Sequence, residues 1–371
     1  MTTLSLRAGQ LLWIGFEADS WDAPLENLLR EIRPGGVIFF QRNVVETEQF
    51  HTLVRQVTEV LSEAASPPFL AVDLEGGKVD RFRELLAPLP PARDAARAGM
   101  ARELGRVAGR EVASFSLNVD FAPVLDVASP ASEPVLGSRT AGESPEQVAR
   151  FGEEFLAGLA ESGILGCGKH FPGLGSGCLD SHLAMPRIEK DAAQLWEHDL
   201  FPFRALASQL PMVMVAHAAY PGLEPSAASS SLPPASLSPQ IVTDLLKRKI
   251  GFGGLALCDD LEMGGALEGR TVGEAAVEAL AAGCHMLLVC RFAGNIRAAS
   301  EALVRRAESD STFRARMDRT SQKIMRMRQQ LLPKQPPSRH PTGDELRAEI
   351  QALSAAIRRR LSTDTGKGIE V

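Results

Sequence analysis

The sequence predicts an α/β protein: a single (β/α)8 barrel of the TIM type over residues 1–332, followed by a linker and an amphipathic helical tail over 333–371. Three observations carry that expectation. Apolar runs recur along the chain and are continuous rather than alternating, which means burial on both faces, as in a parallel sheet covered by helices. The stretches between them carry helix start signals. Polar and ionisable residues collect at the C-terminal ends of the runs, where such barrels place their chemistry.

In order, the runs are Leu11–Phe16, Gly36–Phe40, Phe69–Asp73, Leu117–Ala122, Gly163–Gly168, Met212–His217, Gly253–Asp259 and His285–Cys290. Among the helices, Ser144-Pro145-Glu146-Gln147 offers an N-cap, a proline at the first helical position and a capping-box glutamine. Val148, Phe151, Phe155 and Leu159 then share one face. Ser238-Pro239 opens a second helix leading to Leu245, Leu246 and Ile250. Eight alternations over some 330 residues suit a closed barrel, and an open doubly wound sheet is the alternative that periodicity leaves. Past Leu332, four prolines between Pro333 and Pro341 read as a linker. Leu346, Ile350, Leu353, Ile357 and Leu361 then form a helical stripe, to be packed on the barrel itself or on a second copy.

Composition narrows the class. A chain of 371 residues with 44% hydrophobic and 23% charged residues is ordinary for a globular protein, and a net charge of -6 argues against a general nucleic-acid binder. No apolar run approaches the roughly 18 residues of a membrane span, and the N-terminus lacks a secretion-signal pattern. The five cysteines form no C-x-x-C pair, so buried free thiols in a reducing, cytoplasmic setting are expected.

The polar strand ends define the candidate site. Asn43 follows the second run, Asp73 and Glu75 the third, and Asp126 and Arg139 the fourth. Lys169 and His170 follow the fifth and open a glycine-rich loop running to Asp180-Ser181-His182. His217 ends the sixth run, and Asp259-Asp260 ends the seventh. A carboxylate placed like Asp259 can act as nucleophile, general base or metal ligand, and strand-end aspartates also cap helices. Successive side chains alternate in direction, so one of the pair is expected to face the site while the other caps the next turn. Asp180, two residues from His182, can orient the imidazole and stabilise its protonated form. Asp73, Arg81, Arg139, Lys169 and His170 suit a hydroxyl-rich ligand, or an ion-pair network around the mouth. The glycine pairs lack the spacing of a phosphate loop.

Lys169-His170-Phe171-Pro172-Gly173 with Asp180-Ser181-His182 resembles the signature of glycoside hydrolase family 3, in the form of its single-domain bacterial β-N-acetylglucosaminidases. Further stretches agree in order: Pro34–Ile38, Val72–Val79, Phe121–Val127, Gly137–Arg139, Met214–His217, Pro234–Ser238 and Asp259-Asp260-Leu261-x-Met263. The likeness spans about residues 5–330. It implies a retaining exo-hydrolase without cofactor or metal, with Asp259 as nucleophile, His182 as acid/base and Asp180 as its partner. Asp73, Arg81, Arg139, Lys169, His170 and His217 match positions that line or support the sugar site. The implied substrate is terminal β-linked N-acetylglucosamine on 1,6-anhydromuramic acid, with or without peptide, in cytosolic peptidoglycan recycling. The implied protein is a monomer, or a homodimer through the tail helix, with no membrane or nucleic-acid partner. Another β-glycosidase, a phosphorylase and a catalytically silent sugar-binding barrel are the competing readings. The chain departs from the family pattern at Leu174, where histidine is usual, at Thr140-Ala141, and at His285, where aspartate is frequent.

Overall fold

The computed structural model describes residues 3–62, 67–177, 185–224, 232–332 and 341–365. Eight parallel strands close into a barrel: β1 Leu12–Ile14, β2 Gly36–Phe39, β3 Phe69–Val72, β4 Val119–Asp120, β5 Leu165–Phe171, β6 Met212–Val215, β7 Leu255–Cys258 and β8 Met286–Val289. Each strand pairs with its neighbours in sequence, and β1 meets β8 through Leu12 opposite Leu287, Trp13 opposite Leu288 and Ile14 opposite Val289. Closure removes the edges that the open-sheet alternative would keep. Every expected run contains its strand, trimmed at the ends, with one extension. The fifth strand continues through Lys169 and His170 to Phe171, so both polar residues stand on the sheet and not on the loop after it. The bonds from Lys169 N to the Pro123 carbonyl and from Leu125 N to the Lys169 carbonyl hold that extension.

Aromatic packing fills the interior. The Trp13 indole stacks on Phe69 at 5.4 Å between ring centres and tilts against Phe121 at 4.8 Å. The indole rests on Gly36, where an added Cβ would lie 2.7 Å from the ring, so only glycine fits.

The capping signals act locally with one change. Ser144 accepts from Gln147 N, as expected, but the Gln147 amide donates to the Ala141 carbonyl instead of returning to the cap. Ser238 Oγ accepts from Ile241 N, and the helix it opens, Gln240–Lys249, is wound in the wider π form. Beyond the barrel, the helix Gly343–Thr365 lies against the helices Ala92–Arg97 and Ala101–Ser114. Leu346, Ile350, Leu353 and Ile357 are buried there. Arg347 donates to the carbonyls of Leu85 and Leu86, and Arg360 to those of Ala98 and Gly99. The apolar stripe is spent on this chain's own barrel. No described helix is long and apolar enough to cross a membrane.

Candidate active site

A hollow of about 260 Å³ opens at the C-terminal end of the barrel, small for a ligand site and of a size for about one sugar ring. Asp73, Glu75, Arg81, Arg139, Lys169, His170, Leu174, Asp259 and Asp260 line it, with Phe40, Met214 and Met263 supplying apolar wall. Residues from six different strand ends thus converge on one concavity, as the sequence pattern predicts.

The third strand supplies its foundation. Past β3 the chain turns into a short hairpin, Leu74–Gly76 paired with Val79–Asp80. Asp73 and Glu75, two residues apart, fall on the same side and straddle the Lys169 ammonium. Lys169 Nζ lies 2.8 Å from Asp73 Oδ1 and 2.6 Å from Glu75 Oε1. The Arg139 guanidinium forks onto the second carboxylate, Nε to Oε2 at 2.7 Å and Nη2 to Oε1 at 2.9 Å. Arg81 Nη2 reaches Asp73 Oδ2 at 3.3 Å. Burial works to raise both acids, but Lys169 together with Arg81 or Arg139 outweighs it, so both sit below the usual carboxylate range. Burial likewise disfavours the Lys169 ammonium, and Asp73 and Glu75 more than restore it. Lys169 is the cation both carboxylates share, so its removal would break two of the network's contacts at once.

Around this network the loops are tied down by single side chains. Asp126, fully buried, takes the His170 Nδ1 proton at 2.7 Å, which leaves Nε2 as the ring's remaining polar atom. The same carboxylate accepts from His170 N at 3.3 Å and from Leu174 N at 2.6 Å. The stem of the glycine-rich loop is therefore fixed through its backbone at Leu174, where the side chain departs from the family. Further along, Tyr220 Oη donates to the Gly173 carbonyl at 2.8 Å and Ser129 Oγ to that of Gly175 at 2.5 Å. A Cβ on Gly175 would lie 1.7 Å from the Val127 carbonyl oxygen, so this approach also requires glycine. The other departure, Thr140, is used structurally. Its hydroxyl donates to the Gly137 carbonyl at 3.0 Å, and Arg93 donates to it at 3.2 Å, closing the turn that presents Arg139.

On the facing side, Asp259 follows β7, with its backbone N bonded to the Val215 carbonyl and its Oδ1 accepting from Asp260 N at 2.8 Å. Asp260 ties the rim, accepting at Oδ1 from Glu262 N at 3.1 Å and Cys290 N at 3.2 Å. Both aspartates border the hollow, and Asp260 is the one whose side chain caps the turn that follows, as expected of one member of the pair. Burial, with Glu262 and Asp259 adding repulsion, pushes the Asp260 carboxyl up to about 7.

His217 is not among the lining residues. It is fully buried, accepts at Nδ1 from Ser236 Oγ (2.7 Å) and donates from Nε2 to the Asp260 carbonyl (3.0 Å), bracing the turn that carries Asp259. His182 and Asp180 lie outside the described residues. Glu75, Asp126 and Asp260, read from sequence only as polar strand ends, take definite roles here: Glu75 and Asp260 line the hollow, and Asp126 holds His170 and the Leu174 backbone. The Asp73-x-Glu75 spacing at a strand end is the signal for the first.

Comparison with known proteins agrees with this geometry. Residues 3–327 match the family described as Glycosyl hydrolase family 3 N terminal domain. The chain is 36% identical over 272 residues to the Beta-hexosaminidase of Idiomarina loihiensis, covering 71% of this chain and 79% of the relative. Against the Beta-hexosaminidase of Pseudomonas aeruginosa it is 37% identical over 285 residues, 75% of this chain and 81% of the other. Among solved structures, a glycoside hydrolase family 3 beta-N-acetylglucosaminidase from Paenibacillus superposes with a TM-score of 0.85 at 31% identity, over 96% of this chain and 69% of that one. The Beta-N-acetylhexosaminidase from Beutenbergia cavernae gives 0.80 at 25% identity, over 89% and 99%. A closed barrel, polar strand ends converging on one hollow, and likeness along nearly the whole barrel lead to one conclusion: the chain belongs to glycosyl hydrolase family 3 and is a glycoside hydrolase.

Proposed function

We propose that the protein is a retaining exo-β-N-acetylglucosaminidase that releases terminal N-acetylglucosamine from β-linked muropeptide fragments in the cytoplasm. The observation that carries the reading is Asp259 at the end of β7, facing the Lys169, Asp73, Glu75 and Arg139 network across a hollow sized for one sugar. A retaining displacement needs a carboxylate beneath the anomeric carbon and a proton donor at the leaving oxygen. Asp259 takes the first role. It attacks the anomeric carbon, the glycosidic bond breaks with its electron pair on the leaving oxygen, and His182, with Asp180 as the proposed partner, delivers the proton. Water, deprotonated by His182, then opens the glycosyl-aspartate. Lys169, Arg81, Arg139, Asp73 and His170 hold the sugar hydroxyls, while His217 braces the turn below the nucleophile. The β-hexosaminidase names of the relatives support the acetamido sugar. Buried free thiols at Cys167, Cys258, Cys284 and Cys290 support a reducing compartment.

Asp259→Ala is expected to abolish hydrolysis of an aryl N-acetyl-β-glucosaminide with the fold unchanged by circular dichroism. Retained turnover would remove the nucleophile assignment. His182→Ala is expected to slow a muropeptide disaccharide far more than an aryl glycoside with a good leaving group, which needs little protonation. Equal losses on both would contradict the acid role. Paired aryl β-glucoside and β-N-acetylglucosaminide kinetics test the sugar. A rate raised by inorganic phosphate, with a sugar 1-phosphate as product, would replace hydrolysis with phosphorolysis.

A further inference from the structure

At the N-terminal end of the barrel, away from the hollow, His285 stands just before β8 and Lys247 lies in the last turn of the helix Gln240–Lys249. His285 Nδ1 accepts from Ala256 N at 2.9 Å, so in the neutral ring the proton resides on Nε2. That nitrogen lies 3.0 Å from Lys247 Nζ. Two donors cannot share a hydrogen bond. The contact closes only if Lys247 is an amine that accepts from Nε2–H while donating to the Gly283 carbonyl. An imidazolium would face the same ammonium with a second charge, and burial beside Lys247 and Lys323 holds His285 neutral.

The remaining groups around Lys247 agree with an uncharged amine. Among the described residues, those acting on it are Cys284 and, from the helix Ser311–Leu331, Lys323 and Arg316, none of them a carboxylate. Lys323 Nζ itself donates to the Gly254 carbonyl at 2.8 Å. Lys247, Lys323 and Arg316 are all half-buried, so none of the three side chains is sealed from solvent.

We propose that Lys247 is a nucleophilic lysine and a site of selective acylation by small anionic acyl donors of the acyl-phosphate class. The Nζ lone pair leaves the His285 Nε2–H as the lysine side chain turns outward and forms the N–C bond to the acyl carbon; the C–O bond to phosphate breaks with its pair on the phosphate, and the surplus Nζ proton passes to water. Lys323 and Arg316 draw in the anionic donor and receive the departing phosphate. Burial first, then the two cations, brings Lys247 down to about 8, the half-point expected for its reaction rate against pH.

The test treats the full chain with acetyl phosphate, and separately with neutral acetic anhydride, from about pH 6.5 to about pH 10, on both sides of the expected half-point, and maps acetylated peptides by mass. At pH near 8, Lys247 is expected to react about tenfold faster than the exposed Lys78, the gain in free amine exceeding the loss in intrinsic nucleophilicity. His285→Asp places a carboxylate against Nζ and is expected to lower the Lys247 rate about tenfold with Lys78 unchanged. Arg316→Ala is expected to slow acetyl phosphate only. Should Lys247 react no faster than Lys78 with either reagent, the nucleophilic lysine is overturned, whatever the variants do. Selectivity with anhydride but not with acetyl phosphate overturns the acyl-phosphate assignment. The wild-type ratio decides even where a variant does not fold.

Discussion

Lys169, buried, and Lys247, half-buried, stand at opposite ends of one barrel, and their surroundings make them different chemical species. Lys169 stands between Asp73 and Glu75, each within 2.8 Å, and stays an ammonium despite burial. Lys247 meets the Nε2–H of a neutral imidazole and two more cations, and gives up its proton readily. Burial costs both a charged form several kcal/mol, and only paired carboxylates repay it. Partners, not depth, decide the charge of a buried lysine. The distribution follows the barrel's polarity, since ligand-facing carboxylates gather at the C-terminal strand ends and strand starts on the other face hold mostly apolar packing.

The largest effect should come from breaking the first lysine. Lys169→Met leaves Asp73 and Glu75 facing each other without their shared cation. Denaturant titration should show a loss of about 3–5 kcal/mol, with hydrolysis of an aryl N-acetylglucosaminide down more than about a hundredfold. An unchanged unfolding midpoint would mean that water supplies what the ammonium supplies.

Glu75→Gln keeps the shape and removes one charge from Lys169 and Arg139 together, for an expected loss of about 2–3 kcal/mol at pH 7. Its pH course has a definite sign. The folded-state value of Glu75 is depressed, against burial, by Lys169 and Arg139, so its stabilisation is present above the unfolded value of about 4.5 and is lost as pH falls below it. The gap between wild type and variant should therefore narrow on acidification from about pH 4.5 downwards. A gap that widens there would contradict the ion-pair account.

Lys247→Met probes the opposite sign. A lysine lowered to about 8 in the fold and near 10.5 when unfolded weakens the protein below pH 8 and recovers stability as pH rises through that window. The methionine variant should be more stable by about 1 kcal/mol at pH 7, after discounting for partial exposure, and the advantage should fade towards pH 10. Thermal unfolding at pH 7, 8.5 and 10 reads this directly. The smallest effect is expected from His285→Asp, which gives Lys247 a carboxylate partner of the kind Lys169 has. Stability at pH 7 should change by less than about 1 kcal/mol, but the rise between pH 8 and 10 should flatten. A persistent rise would assign the titration to another group.

Much of this was legible in the residue pattern, and the parts that were not share a cause. The strands were readable because burial on both faces leaves unbroken apolar runs, and Asp73, Arg139 and Asp259 because they punctuate those runs. Lys169 and His170 were placed one step too late: their polarity suggested a loop, whereas the strand persists while its side chains face a ligand hollow. His217 was readable as a strand-end histidine but not as a brace, since its partners Ser236 and the Asp260 carbonyl come from distant loops. The capping box expected at Gln147 does not close, because the side chain is turned so that its Nε2 donates to the Ala141 carbonyl.

Local chemistry, repeated along the chain, determined the barrel, the polar strand ends and the family likeness, because periodicity and motif spacing are properties of neighbouring residues. Tertiary structure alone decided which carboxylates share Lys169, that Asp260 ties the rim through Glu262 N and Cys290 N, and that the tail stripe covers the helices Ala92–Arg97 and Ala101–Ser114. It also placed His285, a departure in a motif, 3.0 Å from Lys247 Nζ. Charge state and orientation depend on atoms brought within about 3 Å from distant parts of the chain, and no local pattern encodes that distance.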